Sequence, residues 1–287
     1  MKITDILATG KRTLSFEVFP PKTSDKFDTV KTATEQVAAL RPDYMSVTYG
    51  AGGNGSKFTL PIASNIEKNY GVPVIHHLTC VDSSKENIKN QLDYMRAEGI
   101  ENVLALRGDL PDGANPSVWD FHHANELTAF IKEYGGFCIG GACYPECHPE
   151  SATIKEDILN LKLKVEAGCE FLTTQLFLDN NTFYDFMDKL SLVGIDIPVT
   201  AGIMALTSVR QFNRIVTLSG SVVPAKLARM GAKYADDPES MKKAGIEFAS
   251  EQIRNLYDNG VQSVHLYTMN NAFVAAEIQN TFREYLA

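Results

Sequence analysis

A carboxylate sits inside an apolar run near the start of the chain, in Ser15-Phe-Glu-Val-Phe-Pro-Pro21. Burying Glu17 there is costly unless it is used. An apolar setting favours the neutral form of a carboxyl, and a neutral carboxyl can act as a general acid. The plain alternative is a carboxylate paired with a lysine. A second candidate lies in Leu104-Ala-Leu-Arg-Gly-Asp-Leu-Pro111. Strand-like residues run into Arg107, Gly108 and Asp109, and a proline stops the strand. Gly108 would let a ligand approach the backbone between a cation and an anion. Read alone, the tripeptide could equally be a solvated turn.

Further polar chemistry recurs at the ends of apolar runs. Val47-Thr-Tyr-Gly-Ala-Gly-Gly53 offers Thr48, Tyr49 and glycines that permit close approach to a flat or phosphorylated ligand. Ile75-His-His-Leu-Thr-Cys80 carries two adjacent histidines, which on a strand point to opposite sides. One of them can face a pocket while the other packs against a helix. Cys143-Tyr-Pro-Glu-Cys-His-Pro-Glu150 packs Tyr144, His148 and two acids into eight residues. Cys143, Cys147 and His148 suggest zinc only weakly, because no second cysteine pair follows; no metal is expected. Asp157, Asn160 and Lys164 fall three and four residues apart, on one face of a helix, where a surface salt bridge is the bland reading. Gln175 lies within Thr173-Thr-Gln-Leu-Phe177, and a glutamine in an apolar strand needs a hydrogen-bond partner. No Gly-x-Ser-x-Gly elbow and no His-x-x-x-His helix is present. The chemistry reads as acid catalysis beside a bound cofactor.

Eight strand-like runs must position these groups. They are Thr13–Val18, Tyr44–Thr48, Pro73–Thr79, Asn102–Leu106, Phe137–Cys143, Phe171–Phe177, Val199–Ile203 and Ser263–Tyr267. Helical patterns fall between them, including Lys26–Leu40, Lys85–Glu98, Ala124–Glu133, Ile154–Ala167, Phe183–Leu192 and Pro238–Asn259. Gly99 and Gly168 stand where helix C-cap glycines belong. Eight strands, each followed by helix, give a single-domain (β/α)8 TIM barrel over residues 1–287, whose ligands bind at the carboxyl ends of the strands. The runner-up is a doubly wound open sheet, but no strand runs into a Walker loop.

Composition sets outer bounds. The 287 residues carry 27 Lys and Arg against 35 Asp and Glu, a net charge of −8, which argues against a nucleic-acid partner. No apolar run reaches the roughly 18 residues that span a membrane, and no signal peptide is evident. Five cysteines, most of them in or beside apolar runs, fit buried thiols in a reduced cytoplasm.

Taken together and in order, FEVFPPKTS, SVTYGAGG, HLTC, ALRGD, YPECHPE, DILNLKLKVEAG, TTQLF and HLYTMN closely resemble the 5,10-methylenetetrahydrofolate reductase family, in its short prokaryotic form. The resemblance runs from about residue 13 to about residue 285. It implies a barrel that binds FAD non-covalently. It also implies reduction of 5,10-methylenetetrahydrofolate to 5-methyltetrahydrofolate, with NADH or NADPH supplying the hydride by a ping-pong route. A homo-oligomer is implied, and some relatives pair with a redox protein as donor. By this resemblance Glu17 is the general acid and Asp109 stands near flavin and folate, where its charge stabilises a cationic iminium. Tyr49, His77, Arg107, Gly108, Ala124, Tyr144 and His148 match flavin-contacting positions. Asp157, Asn160 and Lys164 match residues that hold the ribityl–diphosphate part. Thr48 and Gln175 match nicotinamide contacts, Gln175 also a folate contact, and Gln211 a further folate contact.

The chain departs from the family pattern at Leu163, where a basic residue is frequent, and at Ala201-Gly202-Ile203, where Pro-Gly-Ile is frequent. It departs again at Asn271, where an arginine touches folate. Asn271 cannot make a guanidinium's charged, forked contact to a carboxylate. Two other readings are a different flavin barrel, such as a proline-dehydrogenase-like enzyme, and a non-catalytic folate- or flavin-binding subunit.

Overall fold

Eight short parallel strands hydrogen-bond in chain order, and the last closes on the first. The computed structural model describes residues 1–49, 56–81, 83–110, 113, 115, 119–218 and 222–287. The strands are β1 (Thr13–Val18), β2 (Met45–Val47), β3 (Val74–Thr79), β4 (Asn102–Leu106), β5 (Cys138–Cys143), β6 (Phe171–Thr174), β7 (Val199–Ile203) and β8 (Ser263–Tyr267). Helices α2 (Phe27–Ala38), α3 (Ser56–Tyr70), α4 (Lys85–Glu98), α5 (Ala124–Tyr134), α6 (Ile154–Glu166) and α7 (Asn180–Leu192) follow the first six strands in turn. After β7 come α8 (Val209–Leu218), α9 (Ala225–Lys233) and α10 (Pro238–Asp258), and α11 (Ala272–Thr281) closes the ring. The expected (β/α)8 barrel is therefore the fold.

The alternation of each strand divides the core. Phe16, Met45, Val47, Val74, Leu78, Val103 and Ala105 turn outward into the main apolar cluster beneath the helices. The opposite faces turn into the barrel. At its amino-terminal end a short helix, α1 (Ile3–Leu7), covers an apolar plug of Ile3, Tyr44, Ile75, Leu104, Cys138 and Phe171. The Ile3 amide is tied to Asn102 Oδ1 at 2.9 Å. Above the plug the interior becomes polar.

Local signals set several helix ends. Ser84 caps α4 by accepting from the Asn87 amide, and Gly99 ends it in the left-handed region at φ +82°. Thr153 caps α6 in the same way, and Gly168 follows it at φ +119°. Thr13–Val18, Asn102–Leu106, Val199–Ile203 and Ser263–Tyr267 have the expected bounds. Phe171–Phe177 was expected as one strand, but β6 ends at Thr174. The Gln175 amide still donates to Cys143 O at 2.7 Å, after which the chain leaves the ladder. The glycine run after Tyr49 lies outside the described residues.

Candidate active site

The carboxyl ends of the strands surround a cavity of about 420 Å³. Glu17 stands on its floor, level with Ser46 on β2 and Tyr267 on β8 through the strand register. Its side chain is 21% exposed, and its neighbours are polar. Ser46 Oγ donates to Glu17 Oε2 at 3.3 Å, and the Nε2 atoms of His77 and His265 both lie 3.8 Å from the same oxygen. The apolar pocket expected around this carboxylate is thus replaced by a polar, half-buried one. His265 continues the polar contacts downward, with Nε2 3.0 Å from Ser46 Oγ and Nδ1 2.7 Å from Ser15 Oγ.

Charge in this floor is set by burial. His77 is pushed down to about 4 because burial disfavours its charged form, against the pull of Glu17. At neutral pH it is an uncharged ring, so its approach to Glu17 is not an ion pair. His76, on the opposite face of β3, is lowered to about 3 by burial and then by His77. It packs against the helix side, as strand alternation requires. Tyr267 is held far above its usual value, first by burial and then by Glu17. Its hydroxyl stays protonated and donates to Thr174 O at 2.5 Å.

A second cavity of about 380 Å³ adjoins the first, and Arg107, Ala124, Ala142, Tyr144, His148 and Lys164 line both. Arg107 holds Glu150 with two hydrogen bonds, at 2.6 and 2.8 Å, the planar forked geometry of a guanidinium on a carboxylate. Its Nε donates to Gly108 O at 3.0 Å. Gly108 has φ +87°, and a Cβ there would lie 3.1 Å from Thr79, so this wall needs glycine. Lys164 crosses β5 over Gly141, where a Cβ would come within 2.7 Å of the lysine chain. Lys164 Nζ then reaches the cavity, donating to Ala142 O at 2.7 Å, and burial lowers its proton affinity. This overturns the bland reading of Lys164 as one end of a surface salt bridge. Asp157 accepts from the His148 amide at 3.0 Å and from Ser151 Oγ at 3.3 Å, fixing the loop after β5. His148 stacks edge-on against Tyr144 at 4.6 Å. Burial, followed by Asp109 and Asp157, raises Tyr144.

Most residues singled out in the sequence converge here. Glu17, Thr48, Tyr49, His77, Arg107, Gly108, Asp109, Ala124, Tyr144, His148, Lys164 and Gln175 line the first cavity, and Asp157 and Asn160 line the second. Gln175 is exposed on the cavity wall rather than enclosed in an apolar strand. Gln211 and Asn271 do not line either cavity. Gln211 Oε1 accepts from the Thr207 amide at 3.0 Å, and Asn271 Oδ1 caps α11 by accepting from the Val274 amide at 3.2 Å. Ser46, His265 and Tyr267 belong to the floor but were not singled out. Their signal was the inward alternation of β2 and β8 at the level of Glu17. Among the described residues no cluster of His, Cys, Asp and Glu could hold a metal ion. Cys143 is buried, with its thiol pushed up by burial. No helix of the described residues is long and apolar enough to cross a membrane.

Comparison with known proteins gives the lineage. The profile of the methylenetetrahydrofolate reductase family matches residues 2–283. The 5,10-methylenetetrahydrofolate reductase of Pectobacterium carotovorum is 34% identical over 273 residues, covering 95% of this chain and 90% of that one. The Escherichia coli enzyme is 34% identical over 274 residues, covering 95% and 91%. Methylenetetrahydrofolate reductase (NADH) 1 of Arabidopsis thaliana is 34% identical over 94% of this chain, which spans 48% of that longer protein. Among solved structures, an uncharacterised Clostridium thermocellum protein that binds two copies of 5-methyl-5,6,7,8-tetrahydrofolic acid superposes with a TM-score of 0.70 at 14% identity, covering 99% of each chain. At that identity it attests the shared barrel. On the family match across nearly its whole length and the two bacterial relatives, the chain belongs to the methylenetetrahydrofolate reductase family.

Proposed function

We propose that the protein reduces 5,10-methylenetetrahydrofolate to 5-methyltetrahydrofolate, using a non-covalently bound FAD that NADH or NADPH reduces in a separate half-reaction. The observation that carries this reading is the pairing of two joined cavities. One has the Glu17 carboxylate on its floor with Asp109 and Gln175 on its walls, and the other is lined by Lys164 and Arg107. Family membership supports the folate as substrate. The name of the Arabidopsis relative supports NADH as one donor.

The residues present fit FAD. Lys164 Nζ has a single backbone carbonyl as partner and lines both cavities, so it can take an anionic group. The first turn of α5, at Ala124 and Asn125, opens onto the second cavity, and helix N-termini favour anions. Gly108 leaves room for a flat ring against the backbone. Glu150, Glu156 and Asp157 also line the second cavity, but Glu150 is held by Arg107 and both Asp157 oxygens are hydrogen-bonded. Bound FAD supplies the hydride-carrying chemistry that no side chain here can supply.

The chain's own groups manage protons and charge. Glu17 is placed to give a proton to a ring nitrogen of the folate, opening its five-membered ring to a cationic iminium. Ser46 donates to the carboxyl, and His77, 3.8 Å away, is uncharged and so does not pair with it as an ion. Asp109, exposed on the wall, favours the cation once it forms. Gln175 presents an amide with no side-chain partner among the described residues, free to orient either substrate by hydrogen bonds.

Purified protein should be yellow and release FAD on denaturation. Anaerobic NADH or NADPH should bleach it. A colourless preparation that cannot take up added FAD would overturn the reading, and bleaching by a protein donor alone would remove the nicotinamide role from Thr48 and Gln175.

A further inference from the structure

Glu17 heads a line of hydrogen bonds that runs down into the barrel. It passes from Glu17 Oε2 to Ser46 Oγ at 3.3 Å, then to His265 Nε2 at 3.0 Å. From His265 Nδ1 it continues to Ser15 Oγ at 2.7 Å. Ser15, Ser46 and His265 are all buried, so their polar atoms need partners within the line.

The far end sets its direction. Ser15 Oγ also lies 3.2 Å from Val264 O, and a carbonyl can only accept. The Ser15 hydrogen is therefore spent on Val264, and the Ser15 oxygen accepts from His265 Nδ1. That makes Nδ1 the protonated nitrogen of the neutral ring and leaves Nε2 a lone pair. Two aromatic neighbours hold the ring in this orientation. Tyr44 stacks on it with centroids 6.1 Å apart and planes at 11°, and Tyr267 meets it edge-on at 5.5 Å.

Ser46 is the junction. Its hydroxyl has one hydrogen and two acceptors in reach, Glu17 Oε2 and His265 Nε2. With Glu17 ionised, that hydrogen serves the carboxylate, and Nε2 is left as a buried lone pair without a donor, which is costly. With Glu17 protonated, Oε2–H donates to Ser46 Oγ and Ser46 donates to Nε2. Every polar atom of the line is then satisfied, so the line is complete only in the acid form of Glu17.

We infer that His265 is a positioning residue for the proposed reaction: acting through Ser46, it holds Glu17 in the protonated form that a general acid needs. This rests on the folate reading above. No proton crosses the ring, which acts by claiming the Ser46 hydrogen. The titratable groups that face His265 are Glu17 on β1, Tyr44 just before β2, His77 on β3 and Tyr267 on its own strand. Burial keeps both phenols protonated and His77 uncharged, so the charge of this floor turns on Glu17 and His265.

The test follows the folate half-reaction against pH. FAD-loaded protein is reduced anaerobically with dithionite and mixed with 5,10-methylenetetrahydrofolate. Flavin reoxidation should fall as pH rises and Glu17 loses its proton. In His265→Phe the Ser46 hydrogen is free to turn to the carboxylate, and the fall should come about one pH unit lower, the worth of one such hydrogen bond. Ser46→Ala deletes the acceptor of the Glu17 proton and should shift the fall the same way. His265→Gln, whose amide can accept from Ser46 and donate to Ser15, should recover most of the shift. FAD content reports on the folding of each variant, and Ser46→Ala decides the question if His265→Phe fails to fold. The same shifts should appear without folate, in the infrared spectrum of the oxidised holoenzyme. There they are read as the pH at which the carboxyl C=O band that Glu17→Gln lacks disappears. A fall at higher pH in Ser46→Ala would place the Ser46 hydrogen on Glu17 and overturn the inference. So would a fall unmoved in Ser46→Ala or in a His265→Phe protein that retains FAD. A wild type that never reoxidises with the folate would overturn the reductase reading instead, and the infrared shift would still decide the role of His265.

Discussion

Glu17 is where the proposed chemistry is most exposed to test. Glu17→Gln keeps the contact with Ser46 and removes the acidic proton, so FAD binding and donor reduction should persist while folate reduction falls about 10²–10⁴-fold. Rapid-mixing measurement of the two half-reactions separates these effects. Asn271→Arg tests a different residue. It removes the cap on the Val274 amide, which should cost about 1 kcal/mol in urea unfolding, whether or not it tightens folate binding. Glu17, Asp109 and Gln175 were legible in the sequence because polar residues at the ends of apolar runs are costly without a use. Ser46 and His265 were not, because a serine or histidine inside a strand reads as ordinary core until the register shows what it faces. The capping role of Asn271 was hidden for a similar reason, since the resemblance drew attention to the missing guanidinium rather than to the helix that begins at the next residue.

At the scale of elements, two local devices hold the site together. Lys164 reaches the second cavity only because Gly141 leaves a groove across β5. Gly141→Ala should therefore cost about 1–3 kcal/mol of stability and weaken FAD binding, read by flavin fluorescence titration. The loop after β8 is the second device. Met269 and Asn270 sit in the left-handed region at φ +53° and +56°. The Asn270 side chain exchanges two hydrogen bonds with the Phe19 backbone, each of 2.9 Å, which ties this loop to the end of β1 near Glu17. Asn270→Ala should lose both bonds and strain the backbone, lowering stability by about 1–3 kcal/mol, whereas Asn270→Gly should lose less because it relieves the strain. The strands were legible from apolar runs bounded by glycine and proline. The short helices α1, α8 and α9 were not singled out, because their register is set by tertiary contacts, as with Ile3 in the plug and Phe212 on Gly231.

Across the whole molecule, the two buried histidines of β3 tie stability to pH. Both titrate lower in the folded state than the 6.5 of a free ring, His77 at about 4 and His76 at about 3. The unfolded chain therefore binds protons that the folded chain refuses. The stabilisation is fully present above pH 6.5 and is lost as pH falls below it, by about 2 kcal/mol per histidine at pH 5. The urea midpoint should drop between pH 7 and pH 5, and His76→Gln should remove roughly half of this histidine-linked drop. An unchanged midpoint in the wild type would show that these rings are not held neutral. The barrel as a whole brings groups from β1, β4 and β6 to one floor and wall, and their joint use is most directly tested in a single turnover. FAD-loaded protein is reduced anaerobically with NADH or NADPH and then mixed with 5,10-methylenetetrahydrofolate. The oxidised-flavin absorbance should return, with one 5-methyltetrahydrofolate formed per flavin, in the wild type but not in Glu17→Gln. A flavin that stays reduced in the wild type, or one reoxidised equally fast in Glu17→Gln, would contradict a Glu17-dependent reduction of the folate at this site.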